Sequence, residues 1–272
     1  MNAAVMQASD IGTDKVQARV EDGIGWIVFN SPEKHNAMGL EMSQGVQRVI
    51  KNYAANPDVR VVVLSGAGEK AFMSGADISE FEKNRANAQQ AEKYAESAGG
   101  VHGAVRNLQK PTIAMIRGYC MGGGLALAAA CDLRFSADNG VFAIPAARLS
   151  IAYRIDFLSW IVQLVGPSNA KDILYSARRL KADEALRIGL INRVVPAAEL
   201  ETNVREYCAA LVDNAPLSMR ATKIIVGELL KDGTKRDEAL CERVSAECFD
   251  SADFKEGRQA FMEKRKPVWK GK

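Results

Sequence analysis

Three consecutive glycines, Gly122, Gly123 and Gly124, stand in the stretch GYCMGGGLALAAACDLRF, between an apolar run and a run of small residues. Because glycine has no side chain, the backbone can approach a ligand closely there, and the first N–H groups of a following helix have no partner within that helix. The helix dipole favours negative charge at the same end, so the corner suits a phosphate, a carboxylate or a developing oxyanion. The same glycines could instead let a buried helix pack tightly under a sheet, and both interpretations stay open. Neither the dinucleotide spacing G-x-G-x-x-G nor the Gly-Lys-Ser/Thr of a P-loop is present.

A second glycine-bearing loop, KAFMSGADISE, follows the apolar run VRVVVLSG, and the glycine triplet follows the apolar run PTIAMIRG. Continuous apolar runs bounded by turn residues predict strands that are buried on both faces, as in a parallel sheet. Ligands of such sheets lie beyond the carboxyl ends of the strands. Two neighbouring loops at that edge can present two backbone N–H groups to one oxygen, which is the arrangement of an oxyanion hole.

The elements that must position these loops alternate between strands and helices. Residues 15–30 have the pattern of a β-hairpin, a helix is predicted over Leu40–Ala54, and a long polar helix is predicted over residues 86–108. From about residue 156 onward the pattern is mostly helical, with an interruption at Gly166-Pro167. This alternation predicts an α/β fold with parallel strand pairing. The predicted parts are a flexible tail (1–14), an α/β core (15–200) and a helical C-terminal region (201–272).

Composition is that of an ordinary globular chain. The 272 residues include 36 lysines and arginines and 33 aspartates and glutamates, and the net charge of +3 is too small to argue for nucleic acid. The five cysteines are scattered without C-x-x-C spacing, which indicates reduced, buried thiols. No apolar run reaches the ~18 residues of a membrane span, and the first residues lack the apolar core of a signal peptide, so a cytoplasmic location is expected. No cluster has metal-ligand spacing, so no metal is expected.

Five segments resemble the crotonase (enoyl-CoA hydratase/isomerase) superfamily. They are FNSPEKHNAM, KAFMSGADISEF, KPTIAMIRGYCMGGGLALAAACDLRFSAD, RRLKADEALRIGLINRVVP and EGRQAFMEKRKP, and together the resemblance covers about residues 15–266. It implies a spiral core of ββα turns and a helical C-terminal region that forms trimers, giving a homotrimer or a dimer of trimers. It also implies an acyl-CoA thioester as the substrate, with coenzyme A as part of that substrate and no tightly bound cofactor.

The resemblance also implies roles for particular residues. The thioester oxygen would lie between the peptide N–H groups of Ala76 and Gly123, whose fixed dipoles stabilise charge on that oxygen. Lys34 would pair with a phosphate of coenzyme A, the alternative being a solvated loop lysine. Phe261 and Lys264 of a neighbouring subunit are weaker candidates for covering coenzyme A. The positions that match the coenzyme A loops are Lys34, His35, Ala37, Ser74, Asp77, Ile78 and Ser79.

Two positions depart from the hydratases of that superfamily, which use a pair of glutamates. The corresponding residues here are Ala126 in GGGLAL and Ala146 in AIPAARL. Alanine cannot transfer a proton, and an acid or base group typically contributes about 10²–10⁴ in rate. The sequence therefore predicts that ordinary hydration by a glutamate pair is lost. Small and apolar residues predict a roomy acyl pocket, and the pocket positions are Met121, Gly122, Leu125, Ala126, Ala146, Ala147, Tyr153 and Arg154.

Candidates for the missing acid or base lie in the stretch ARLSIAYRIDFLSW. Asp156 is a catalytic candidate, although a helix N-cap is the favoured interpretation. Arg154 would bind a carboxylate or phosphate, and Tyr153 would donate a hydroxyl. Arg148 is a further option, with a surface ion pair as its alternative. His102 is expected to be a solvated helix residue rather than a catalytic one.

Three functions stay open. The leading hypothesis is an enzyme that acts on a CoA thioester by isomerisation, lyase chemistry or thioester cleavage. The second is a CoA-thioester-binding subunit or sensor without catalysis. The third is an RNA-binding protein, which is supported only by the basic tail EKRKPVWKGK.

Overall fold

The computed structural model describes residues 4–77, Ser79 and residues 100–272. The strands of that part form two sheets, one in the order β1-β2-β3-β4-β6-β8-β11 and one in the order β10-β9-β7-β5. The strands are β1 (Ala4–Val5), β2 (Val16–Glu21), β3 (Ile24–Phe29), β4 (Val61–Gly66), β5 (Ala71–Met73), β6 (Thr112–Ile116), β7 (Tyr119–Met121), β8 (Leu133–Ala137), β9 (Val141–Ala143), β10 (Leu180–Lys181) and β11 (Arg193–Val195).

Parallel pairing dominates both sheets, as the buried apolar runs predict. In the larger sheet β3, β4, β6, β8 and β11 are parallel, and β1, β2 and β3 pair antiparallel. In the smaller sheet β5, β7 and β9 are parallel, with β10 antiparallel at the edge. The predicted hairpin is present as β2 and β3. Its turn residues Asp22 and Gly23 have φ of 51° and 79°, as a type I′ turn requires.

The helices pack around these sheets. They are α1 (Ala8–Ile11), α2 (Leu40–Ala55), α3 (residues 100–107), α4 (Gly123–Ala130), α5 (Ile155–Ser176), α6 (Ala182–Arg187), α7 (Leu200–Val212), α8 (Pro216–Leu229), α9 (Glu238–Asp250) and α10 (Ala252–Glu263). The predicted polar helix over 86–108 is described only from residue 100 onward. Helix α5 is interrupted at Gly166, which has φ of 74° and precedes Pro167, so the predicted break is confirmed. No helix among the described residues is both long and apolar enough to cross a membrane.

Residues 4–14 differ from the predicted flexible tail. They contain β1 and α1, and Ile11 is only 1% exposed within the main core. Met6 N donates to Ala18 O at 2.9 Å, and the Arg48 guanidinium donates to Ile11 O at 2.6 Å. This segment is therefore held by burial, by the pairing of β1 with β2 and by these hydrogen bonds, which local composition does not indicate.

The helix of the glycine corner, α4, is buried along its length. Gly124 serves packing, because a methyl group there would collide with Met73 O of strand β5. The other end of α4 faces Arg134, which is 2% exposed and donates to Cys131 O at 2.8 Å and to Leu190 O at 2.9 Å. The corner is thus anchored to β5 on one side and to β8 on the other.

Candidate active site

Two backbone N–H groups, those of Ala76 and Gly123, lie close together at the glycine corner. A methyl group built on Gly123 would lie 3.7 Å from Ala76 N, and one built on Gly75 would lie 3.6 Å from Gly123 N. Within the described part of the chain, neither N–H donates a hydrogen bond. Gly123 is the first residue of α4, so its N–H is an unpaired donor at the positive end of the helix dipole. The pair can bind one anionic or partly negative oxygen.

Hydrogen bonds on both sides of Ala76 fix the orientation of its peptide. Met38 N donates to Gly75 O at 2.8 Å, and Asp77 N donates to Met38 O at 3.0 Å. Gly75 has φ of +113°, a conformation that side chains disfavour. The loop of residues 31–38, called the first loop below, therefore holds the second loop, residues 74–77, with the Ala76 N–H left available.

Asn36 fixes the first loop, although the sequence analysis did not select it. Its side chain is fully buried, and its Nδ2 donates to Ala67 O at 3.0 Å and to Ala71 O at 2.8 Å. Its Oδ1 accepts from Ser31 N at 3.0 Å. The backbone of Asn36 is left-handed with φ of 56°, which asparagine tolerates better than most residues. An asparagine next to a turn was the only signal in the sequence that could have indicated this role.

Charged and hydroxyl groups of the predicted coenzyme A loops meet at one place. Lys34 Nζ lies 2.8 Å from Asp77 Oδ2, and Ser79 Oγ donates to Asp77 Oδ1 at 2.6 Å. Partial burial acts to raise the pKa of Asp77, but the hydrogen bonds from Lys34 and Ser79 outweigh it and lower that pKa. The carboxylate therefore stays charged at neutral pH, and it holds the half-exposed Lys34 ammonium at the rim of the loops.

The other predicted residues of these loops take varied positions. Ser74 is exposed, and its Oγ lies 3.3 Å from Lys34 O. The ring of His35 meets Tyr119 edge-on, and among the described atoms its Nδ1 is buried without a hydrogen-bond partner. Ala37 is half-buried, and its N–H donates to Lys34 O. Ile78 lies outside the described residues.

The side of the corner predicted to face the acyl group is mostly apolar. Ala126 and Ala146, where the resemblance implies the glutamates of a hydratase, are 3% and 7% exposed. Gly122 has φ of 51°, and a methyl group built on it would lie 3.2 Å from the Tyr153 hydroxyl. Tyr153 is half-buried and packs on Phe157 with ring centroids 4.6 Å apart. Its phenol is thus a hydroxyl group at the corner itself.

The remaining predicted pocket positions differ in exposure. Leu125 is fully buried in the core under the corner, whereas Met121 is half-buried. Ala147 and Arg148 are exposed, so the small side chain of Ala147 does not widen a buried pocket.

The favoured interpretation of Asp156 as a helix cap is wrong. Helix α5 begins at Ile155, its N-cap residue is Arg154, and no side chain caps it. Because the helix starts one residue before Asp156, that carboxylate lies inside the first turn, where it interacts with the helix dipole. Asp156 and Arg154 are both exposed.

His102 contacts the corner and is not a solvated helix residue. It is half-buried, and its Nε2 lies 3.2 Å from Gly123 O. Its ring stacks on Trp160 of α5 with centroids 6.5 Å apart. The expectation of a solvated histidine was wrong because the contact joins two segments that are 21 residues apart.

Other chemistry receives no support from the described residues. Among them, no group of three or more His, Cys, Asp or Glu side chains could hold a metal ion. All five cysteines are free, and Cys120, Cys131 and Cys208 are buried. Burial raises the pKa of the Cys131 thiol to about 12, which makes it a poor nucleophile.

Comparison with known proteins gives extensive matches. The sequence model of the enoyl-CoA hydratase/isomerase family matches residues 19–272. The short-chain-enoyl-CoA hydratase of Clostridium acetobutylicum is 33% identical over 246 residues, which are 90% of this chain and 94% of that protein. The carnitinyl-CoA dehydratase of Escherichia coli is 36% identical over 245 residues, which are 88% of this chain and 92% of that protein.

Solved structures give the same result. An enoyl-CoA hydratase/carnithine racemase from Magnetospirillum magneticum has a TM-score of 0.91 at 37% sequence identity, covering 96% of this chain and 97% of that one. An enoyl-CoA hydratase from Geobacillus kaustophilus has a TM-score of 0.90 at 29% identity and covers 100% of both chains. The crotonase-like α/β fold predicted from the sequence is therefore confirmed.

Proposed function

The chain belongs to the enoyl-CoA hydratase/isomerase family, and we propose that it is a lyase or isomerase that holds the thioester oxygen of an acyl-CoA between the N–H groups of Ala76 and Gly123. The observation that carries this proposal is the pair of adjacent N–H donors at the glycine corner, neither of which donates to an atom of the described residues. An enolate or tetrahedral intermediate of a thioester places negative charge on that oxygen. Fixed N–H dipoles stabilise that charge without having to reorient during the reaction.

Coenzyme A would bind along the first and second loops. The side chains of Lys34, Asp77 and Ser79 form a polar cluster there, and Lys34 is exposed enough to reach a phosphate. The relatives are a hydratase and a dehydratase of CoA thioesters, which supports addition or elimination next to the thioester carbonyl. No tightly bound cofactor is needed for that chemistry.

The proton-transferring group would differ from the glutamate pair of the hydratases that this chain resembles. Ala126 and Ala146 stand at those positions and are buried. Tyr153 lies beside Gly122, and a phenol can donate a hydrogen bond or a proton to a group held at the corner. Asp156 remains a candidate acid or base, but its exposure in the first turn of α5 makes Tyr153 the better supported one.

The first test follows hydration of crotonyl-CoA at the absorbance of its enoyl thioester. We expect little turnover by the wild type while butyryl-CoA still binds, and better turnover of bulkier acyl-CoAs. Rapid hydration of crotonyl-CoA would contradict the proposed loss of glutamate chemistry.

With the most active acyl-CoA, we expect Tyr153→Phe to lower kcat by about 10²-fold, because an acid or base contributes about 10²–10⁴. Asp156→Asn should change kcat by only a few fold, because that carboxylate is exposed. Circular dichroism and the Tm of both variants control for folding. The reverse order of effects would assign the proton transfer to Asp156.

Lys34→Gln should raise KM or Kd for acyl-CoA by roughly ten-fold with kcat unchanged, because a phosphate contact binds substrate and transition state equally. It should also reduce the dependence of binding on salt concentration. Lys51→Gln, at an exposed position of α2, is the matched control. Equal binding by both variants and the wild type would show that Lys34 is a solvated loop residue.

The chain is also proposed to form a trimer through its C-terminal helices. Phe249, Phe261 and Met262 are 65%, 84% and 80% exposed there, which is unusual for large apolar side chains. The exposed Phe261 and Lys264 would then lie near a neighbouring coenzyme A site. Sedimentation of the purified chain tests this, and a monomer at micromolar concentration would refute it.

The two alternative functions have less support. A binding protein without catalysis would bind acyl-CoA but show no turnover of any acyl-CoA in the series above. An RNA-binding role would use the basic tail, but Arg265 pairs with Glu256 and Glu263, and Lys266 pairs with Asp213. Those pairs engage two of the five lysines and arginines in residues 263–272. Fewer positive charges are therefore left to pair with the phosphates of an RNA.

A further inference from the structure

His102 connects three parts of the candidate active site. It lies on α3, where Val101 and Val105 are buried in the core and fix the position of the helix. Its imidazole Nε2 lies 3.2 Å from the carbonyl oxygen of Gly123. The ring of His102 also stacks on Trp160. The imidazole is thus held by packing while one nitrogen is directed at the corner.

The hydrogen bond determines the form of the imidazole. A carbonyl oxygen only accepts, so Nε2 must carry the proton and donate it. The acceptor belongs to Gly123, the same residue whose N–H is a proposed oxyanion donor. The proposed chemistry assigns no role to this hydrogen bond.

The orientation of the Gly123 N–H depends on the peptides on both sides of that residue. Gly123 has no side chain, and the preceding Gly122 has φ of 51° and ψ of −115°. The N–H of Gly122 donates to Ala143 O at 2.8 Å, and the carbonyl oxygen of Gly122 accepts from Ala126 N at 3.0 Å. On the other side, the bond from His102 holds the carbonyl of Gly123. The Ala126 bond holds the peptide that carries the Gly123 N–H, and the His102 bond holds the next peptide, so the backbone is fixed on both sides of the Gly123 Cα atom.

We propose that His102 is a positioning residue of the oxyanion hole: by donating from Nε2 to Gly123 O, it keeps the Gly123 N–H directed at the thioester oxygen. This inference rests on the proposed function, because it assigns His102 to the same oxygen-binding site. Such support matters because a binding group that is displaced slightly loses much of its effect on the transition state.

The test measures polarisation of the thioester carbonyl directly. Butyryl-CoA, isotopically labelled at the thioester carbonyl, is bound to the full chain, and the carbonyl stretching frequency is compared with that of the free thioester by difference infrared spectroscopy. We expect a shift to lower frequency in the wild type, most of which is lost in His102→Leu. His102→Gln should keep most of the shift, because its amide Nε2 can donate at a similar position.

The outcomes separate this inference from the proposed function. No shift in the wild type would refute the oxyanion hole, and the role of His102 with it. A full shift in both the wild type and His102→Leu would refute the role of His102 alone. Equal losses in His102→Leu and His102→Gln would also refute it, because the lost contact with Trp160 would then explain the effect. The Tm of each variant, and the Kd of butyryl-CoA, confirm that folded and ligand-bound protein is compared.

Discussion

Replacement of Gly123 by proline is expected to lower kcat by about 10²–10³-fold with little loss of stability, since one oxyanion donor has that effect on rate. Gly123 is the first residue of α4, and proline is tolerated at that position because its missing N–H has no partner in the helix. The substitution therefore keeps the helix and replaces the donor hydrogen by a ring carbon, which also occupies space next to the bound oxygen. Initial rates with the most active acyl-CoA, together with the Tm, measure both effects.

A matched control is Glu238→Pro, which places proline at the first position of α9, where Glu238 is exposed. We expect its kcat to equal that of the wild type. If Gly123→Pro also kept wild-type kcat, the Gly123 N–H would have no role in the reaction. If both variants lost activity together with Tm, proline itself would be the cause.

The glycine triplet shows how far the sequence could predict the site. Of the two interpretations of the triplet, packing applies to Gly124, and the proposed ligand-binding role falls on Gly123. A methyl group on Gly124 would collide with the backbone of β5, whereas one on Gly123 would make only ordinary contacts, the nearest at 3.7 Å from Ala76 N. Each of the two loops follows an apolar run that predicts a strand. Because parallel strands place their carboxyl ends at the same edge of a sheet, these runs predicted that the two loops lie close together.

The residues that support the loops could not be predicted in the same way. Asn36 bonds to atoms 31 and 35 residues away, and His102 bonds to an atom 21 residues away. Such contacts depend on the tertiary fold and leave no periodic pattern in the sequence. The start of α5 at Ile155 depends likewise on local backbone geometry. The N-cap is Arg154, two residues before the predicted Asp156, and this difference places Asp156 in the first turn.

The second large prediction concerns Asn36. We expect Asn36→Gly to lower the free energy of unfolding by about 3 kcal/mol. The substitution leaves Ser31 N, Ala67 O and Ala71 O without their partner, and each lost buried hydrogen bond costs about 1 kcal/mol. Glycine keeps the left-handed backbone of Asn36, so this loss reports the hydrogen bonds. Urea denaturation measures it.

Two further variants separate the causes. Asn36→Ala should lower the free energy of unfolding by about 1 kcal/mol more than Asn36→Gly, because the left-handed conformation is unfavourable for alanine. Asn30→Ala removes one exposed hydrogen bond, to Asp14 O, and should change the stability by less than about 0.5 kcal/mol. A loss below about 1 kcal/mol in Asn36→Gly would mean that water replaces the buried asparagine. The hydrogen bonds of Met38 and the bond from Ser74 N to His35 O would then hold the second loop, and the glycine corner would not depend on Asn36.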